Sequence, residues 1–137
     1  MKVVLISCGK KKLPKRAKAQ DLYIGTLFEF SLEYARRLRP DKIFILSAKH
    51  GLLLPSKRIA PYDLTLSKMH SEQVKRWANR VFEQLKRRTN VERDRFIFLA
   101  GEKYRKDLMP PRLEHVEVPM KGLAIGKQLH YLKESLK

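Results

Sequence analysis

Ile43-Phe44-Ile45-Leu46-Ser47-Ala48-Lys49-His50-Gly51-Leu52-Leu53-Leu54-Pro55, closely followed by Pro61-Tyr62-Asp63, is the stretch from which the rest of the chain is read. Its first four residues are uniformly apolar. They lack the alternation of a half-exposed strand and fit one buried on both faces, as in a parallel sheet covered by helices. A short polar break follows at once, carrying the one histidine in the first half of the chain. In open parallel sheets, ligands sit beyond the carboxyl ends of the strands, so this break is a natural place for a site.

The same pattern recurs outward from this stretch. Residues 2 to 6 and 95 to 100 read as further central strands, and Val116 to Val118 as a weaker edge strand. Between them, Thr26-Leu27-Phe28-Glu29 has the spacing of a capping box. It opens a helix to about Leu38, with Leu27, Phe30, Tyr34 and Leu38 on one stripe, ended by Arg39-Pro40. Ser67 is a candidate cap for a second helix carrying His70, Val74, Trp77, Val81 and Leu85. The basic stretch from Lys10 to Gln20, with Pro14, reads as loop, and the histidine loop stays irregular through Pro55 and Pro61. Gly101 to Arg105 starts a short helix that Pro110-Pro111 stops, and a last helix covers Gly122 to Leu136. Strands alternating with helices predict an α/β three-layer fold with a mainly parallel sheet of about four strands, one Rossmann-like domain over residues 1–137.

Composition bounds the function. A chain of 137 residues buries a core without staples, and the single Cys8 excludes an internal disulfide. No secretory signal and no run of the roughly 20 apolar residues needed to cross a bilayer is seen, so a soluble cytoplasmic protein with no membrane partner is expected. The 31 Lys plus Arg against 14 Asp plus Glu give a formal charge of +17. Ion-pair networks need both signs, so the excess points to a polyanion, with DNA or RNA the expected partner and a nucleotide or modified base the candidate small ligand.

Three post-strand breaks, Ser7-Cys8-Gly9, Ser47 to Gly51 and Gly101 to Arg105, converge on one rim in this architecture. Ser7-Cys8-Gly9-Lys10-Lys11-Lys12 resembles a phosphate-binding turn, with backbone donors and lysine charges, though it lacks the GxxxxGK[ST] spacing and the arginine of a phosphatase loop. Cys8 is a candidate nucleophile or, more blandly, a packed strand-end thiol. His50, between Lys49 and Gly51, would donate to a developing anion when neutral or bind phosphate when protonated, unless it serves as a structural hydrogen bond holding the loop. Tyr62 offers a face for stacking a base. Asp63 beside it would orient water or offset positive charge on a sugar, unless it merely closes a turn on its own backbone. Glu102 is a second acid, and Tyr104 and Arg105 are candidate rim residues. His70, His115 and His130 read as structural or surface histidines. No metal signature is present, and no cofactor is expected.

The pattern Ser7-Cys8-Gly9-Lys10-x-Lys12, Leu22-Tyr23, Leu46 to Leu53 with Pro55, Pro61-Tyr62-Asp63-x-Thr65-Leu66 and Pro119-x-x-Gly122-x-x-x-Gly126 resembles a family of small, largely uncharacterised bacterial, archaeal and phage domains. More distantly, the opening SC-G-K resembles the lyase region of archaeosine synthases and small domains met beside modified-base enzymes. That likeness implies work on a base or its glycosidic bond, with Cys8, Lys10, His50, Tyr62 and Asp63 as pocket residues. The expectation is therefore a nucleic-acid base-processing enzyme. Its catalytic residues would be Asp63, His50 and Cys8, and Ser7, Gly9, Lys10, Lys12, Lys49, Tyr62, Glu102, Tyr104 and Arg105 would bind substrate. The alternative is a non-catalytic DNA- or RNA-binding module using its basic surface.

Overall fold

The computed structural model describes residues 1–137. Its main sheet contains β1 (Lys2–Ser7), β3 (Lys42–Ser47), β4 (Gly51–Leu53), β6 (Arg95–Leu99) and β7 (His115–Glu117), in the order β4-β3-β1-β6-β7. β1 lies at the centre, parallel to both neighbours, with Val4 opposite Ile43 on one side and Ile97 on the other. β7 adds a parallel edge. A separate ribbon pairs β2 (Ala17–Lys18) with β5 (Arg58–Ile59) inside segments expected to be loop.

Both faces are covered, which is why the strands show no alternation. Val4, Ile6, Ile45, Ile97 and Leu99 point to one face and pack against α1 (Ala19–Leu22), α2 (Thr26–Arg37) and α5 (Ile125–Ser135). Val3, Leu5, Phe44, Leu46, Phe96 and Phe98 point to the other. They meet α3 (Ser71–Arg88) and the segment from α4 (Glu102–Arg105) to Leu113. The chain is thus an α/β domain of three layers, and none of its helices is long and apolar enough to cross a membrane.

Beyond that ribbon, the structure departs from the expected elements in three places. The main sheet has five strands rather than about four, because Gly51–Leu53 pairs antiparallel with β3, Ser47 opposite Gly51 and Ile45 opposite Leu53. The supposedly irregular histidine loop is a hairpin, closed through Gly51 at φ +70. At the start of α2, Thr26 is the first helical residue and Gly25 the cap, with no side-chain capping bond. Ser67 does not open α3. It sits in a single 3-10 turn capped by the Thr65 hydroxyl, and the helix starts after His70, whose N–H donates to Gln73 Oε1 at 2.8 Å.

The path of the chain positions the site. From β1 it passes to α2 on one face, whereas from β6 it passes to α4 on the other. The loops at the carboxyl ends of these adjacent strands therefore part, and a crevice opens between them, as at the switch point of other open α/β sheets.

Candidate functional site

That crevice holds a cavity of about 480 Å³, walled by Ser7 to Lys11 after β1, the first turn of α2, Leu99 to Gly101 and Tyr104 after β6, and Gln128 and Leu129 of α5. A smaller arm of about 170 Å³ shares Ala100, Gly101, Met120 and Gln128 with it and adds Glu102 and Arg105. Ser7, Cys8, Gly9, Lys10, Glu102, Tyr104 and Arg105, all singled out from the sequence, are thereby brought together. Leu27, Phe28, Leu99 and Met120 give it apolar lining, and Lys10 and Lys11 line it as well.

Cys8 extends β1, its N–H donating to the Leu46 carbonyl at 3.0 Å. Its Sγ lies 3.5 Å from the Tyr104 hydroxyl, and the Tyr104 ring is held edge-on against Trp77 with centroids 5.6 Å apart. Burial, reinforced by the charge on Cys8, pushes the Tyr104 hydroxyl above the usual phenol range. Tyr104 is therefore a neutral O–H donor at any physiological pH and not a base. Gly9 has no steric need to be glycine, since a Cβ there would meet only Phe28 at 4.0 Å.

The turn from Ser47 to Gly51 is built differently. Ser47 is fully buried, and its Oγ accepts the His50 N–H at 3.1 Å and bonds the Tyr62 hydroxyl at 2.7 Å. Tyr62 in turn bonds Tyr23 at 2.6 Å. From α3, Trp77 Nε1 donates to the Ser47 carbonyl at 2.8 Å and Arg80 Nη1 to the Lys49 carbonyl at 2.8 Å. Gln84 completes the grip, accepting the Leu52 N–H at 2.8 Å and donating to the His50 carbonyl at 3.2 Å. Any side chain at Gly51 would collide with the Gln84 carboxamide. This is a clasp whose polar groups satisfy one another.

His50 enters this clasp through its main chain, its N–H and its carbonyl both bonded. Burial first, then the charges of Lys49, Arg80 and Lys57, hold its pKa below the ordinary histidine value, so the imidazole is neutral at pH 7. Its ring stands edge-on to Tyr62, centroids 5.7 Å apart. Burial, with the charges of Cys8 and Tyr23 adding to it, raises the Tyr62 hydroxyl far above the usual range, and burial pushes Tyr23 up to about 12. Lys12 does not line the crevice. It donates to the Lys10 carbonyl at 3.2 Å and places its ammonium 4.5 Å over the Tyr62 ring, occupying a face read as free for stacking.

Cys8, His50 and Asp63 thus do not share one cavity. Cys8 lies in the crevice, and His50 lies in the adjoining clasp, linked through Tyr62. Asp63 is exposed and lines neither arm. Lys49 is likewise an exposed rim charge. Sequence reasoning missed Gln84 and the clamping role of Trp77, which no local signal marks, because both act across a distance of about thirty residues. It also missed Phe28, Met120 and Gln128 in the crevice, whereas Lys11 belongs to the turn read as phosphate-binding. No group of three or more His, Cys, Asp or Glu side chains is placed to hold a metal ion.

The chain belongs to a family of unknown function, DUF6884, whose family model matches residues 3–134. Searches of curated proteins and of solved structures returned no match.

Proposed function

We propose that this protein is a nucleic-acid base-processing enzyme whose target nucleotide enters the crevice between β1 and β6, with chemistry at the N-glycosidic bond as the sharpest version. The observation that carries the reading is the crevice itself. At about 480 Å³ it falls within the roughly 300–1,000 Å³ of small-molecule sites. It pairs an apolar wall suited to a base with Lys10, Lys11 and the Gly9 backbone suited to a phosphate, and Cys8 lines the same cavity. The distant likeness of the opening SC-G-K to the lyase region of archaeosine synthases supports the same chemistry.

The roles follow from protonation states. Tyr104, neutral and aimed at Cys8, donates a hydrogen bond to the thiol sulfur or to an electron-rich atom of the departing base. Cys8 is the one thiol in the main arm, a better nucleophile than the hydroxyls of Ser7, Thr26 and Ser31 that also line it, and Glu102 in the side arm is the one carboxylate lining either arm. Asp63, exposed, carries no role in this account. The basic surface serves the polymer backbone.

The test is incubation of the protein with nucleosides and with oligonucleotides bearing canonical and modified bases, read by mass spectrometry for a released or exchanged base. Turnover that falls about a hundredfold in Cys8→Ser, with binding of the same substrate retained, is the expected result. Oligonucleotide binding without any change of mass across the panel would leave the non-catalytic binding module as the function.

A further inference from the structure

The far side of the clasp carries a second feature. Along β4, at the edge of the sheet, a cavity of about 570 Å³ is lined by Lys42, Leu52, Gln84, Arg87 and Arg88. A second of about 190 Å³ is lined by His50, the three leucines from Leu52 to Leu54, Lys57 and others, and shares Leu52 and Arg88 with the first. Together they form one groove from the start of β3 to the histidine turn. No carboxylate lines either part. Lys42, Lys57, Arg87 and Arg88 take part in no salt bridge, whereas Lys86, their neighbour on α3, is paired with Glu83. Lys49 and Arg80 add positive field at the upper end, where they and Lys57 add to the effect of burial in lowering the His50 pKa.

Arg87 and Arg88 alone would be explained by the negative end of the α3 dipole. Lys42 from β3 also serves that end, bonding the last carbonyl of the helix, but Lys57 from the segment after β4 does not, and it converges on the same groove. Lys42 is held there, donating to the Arg88 carbonyl at 2.7 Å, and Arg80 is held by the Lys49 carbonyl. Four like charges brought within one groove repel one another, and an anionic chain spread along it removes that cost. A single nucleotide phosphate is too small to engage all of them.

We infer that this groove is the track for the phosphate backbone of a nucleic-acid strand, guiding a polymer past His50 and Tyr62 toward the crevice. The inference rests on the reading of a nucleic-acid substrate and fixes it as a polymer. A peptide strand added to the sheet edge is disfavoured, because the Leu52 N–H that would bond it is already taken by Gln84.

Anisotropy titrations of a labelled oligonucleotide against the full chain, over a range of salt, test the assignment. The variants are a groove triple, Lys57→Ala with Arg87→Ala and Arg88→Ala, and a control triple of equal charge, Arg36→Ala with Lys121→Ala and Lys127→Ala. Thermal melts verify that both are folded. The groove triple is expected to lose tenfold or more in affinity at low salt and about two to three from the slope of log K on log salt, at roughly 0.7–0.9 per phosphate contact. The control triple should lose less than threefold. Equal losses in the two triples, or tighter groove-dependent binding to phosphatidylserine vesicles than to oligonucleotide, would overturn it. Base release assayed in parallel separates the two readings. Groove-dependent binding without turnover keeps the track and removes the enzyme, and turnover of a free nucleoside with groove-independent binding does the reverse.

Discussion

The turns after β1 and after β3 begin alike, each a buried apolar strand ending in a serine, with a glycine soon after, yet one encloses space and the other fills it. After β3, the Ser47 hydroxyl, the carbonyls of Ser47, Lys49 and His50 and the N–H groups of His50 and Leu52 all find partners, within the turn, on Tyr62 or across on α3. After β1, Cys8 has one long contact to Tyr104, and the segment from Ser7 to Lys11 walls a cavity. A motif dense in marked residues is therefore not by itself a reaction site. The better guide is whether the fold leaves its side chains occupied or free.

Substitutions should divide along the same line. Gly51→Ala should be the most costly. It adds roughly 1–2 kcal/mol for a left-handed backbone and displaces Gln84 from two hydrogen bonds of roughly 0.5–1.5 kcal/mol each. About 3 kcal/mol in urea unfolding is expected, and a loss under about 1 kcal/mol would show that the turn is not clasped. Trp77→Phe leaves the Ser47 carbonyl without its donor and shrinks a core ring, for about 2 kcal/mol by the same measurement.

The pH dependence of stability comes next. His50 has a folded pKa below its ordinary value, so on acidification the unfolded chain takes up the proton first. Stability should fall as pH drops below about 6.5 and level off once the folded pKa is passed, and His50→Gln should flatten that fall in melts taken from pH 7.5 downward. A wild-type profile unchanged by the substitution would mean that the imidazole is not held neutral. Smallest of all, Cys8→Ser should change stability by no more than about 0.5 kcal/mol, because its thiol borders open space. A loss like that of Trp77→Phe would make Cys8 a packing residue and erase the contrast.

Much of the fold was legible because the signal was local. The runs at 2–6, 43–46 and 95–99 show by their lack of alternation that both faces are buried, and the parallel sheet follows. β4 was not legible. Three residues with two leucines beside Pro55 carry no strand period, and their pairing depends on a turn held by Gln84 from a distant helix. α2 begins at Thr26 as expected, but its cap was misread, because Thr26 has the capping-box spacing yet lies inside the helix and Gly25 takes the cap position. That Cys8, Lys10, Glu102 and Tyr104 would lie around one crevice was legible because the switch point gathers post-strand turns whatever their composition. The lining by Phe28, Met120 and Gln128 was not, since helices and loops from opposite ends of the chain supply it.

A crystal structure with a bound nucleoside monophosphate tests the central claim most directly. The account predicts the base against Phe28, Leu99 and Met120, the phosphate at Gly9 to Lys11, and the sugar within reach of the Cys8 sulfur. A nucleotide bound elsewhere, with the crevice between β1 and β6 empty, would contradict it.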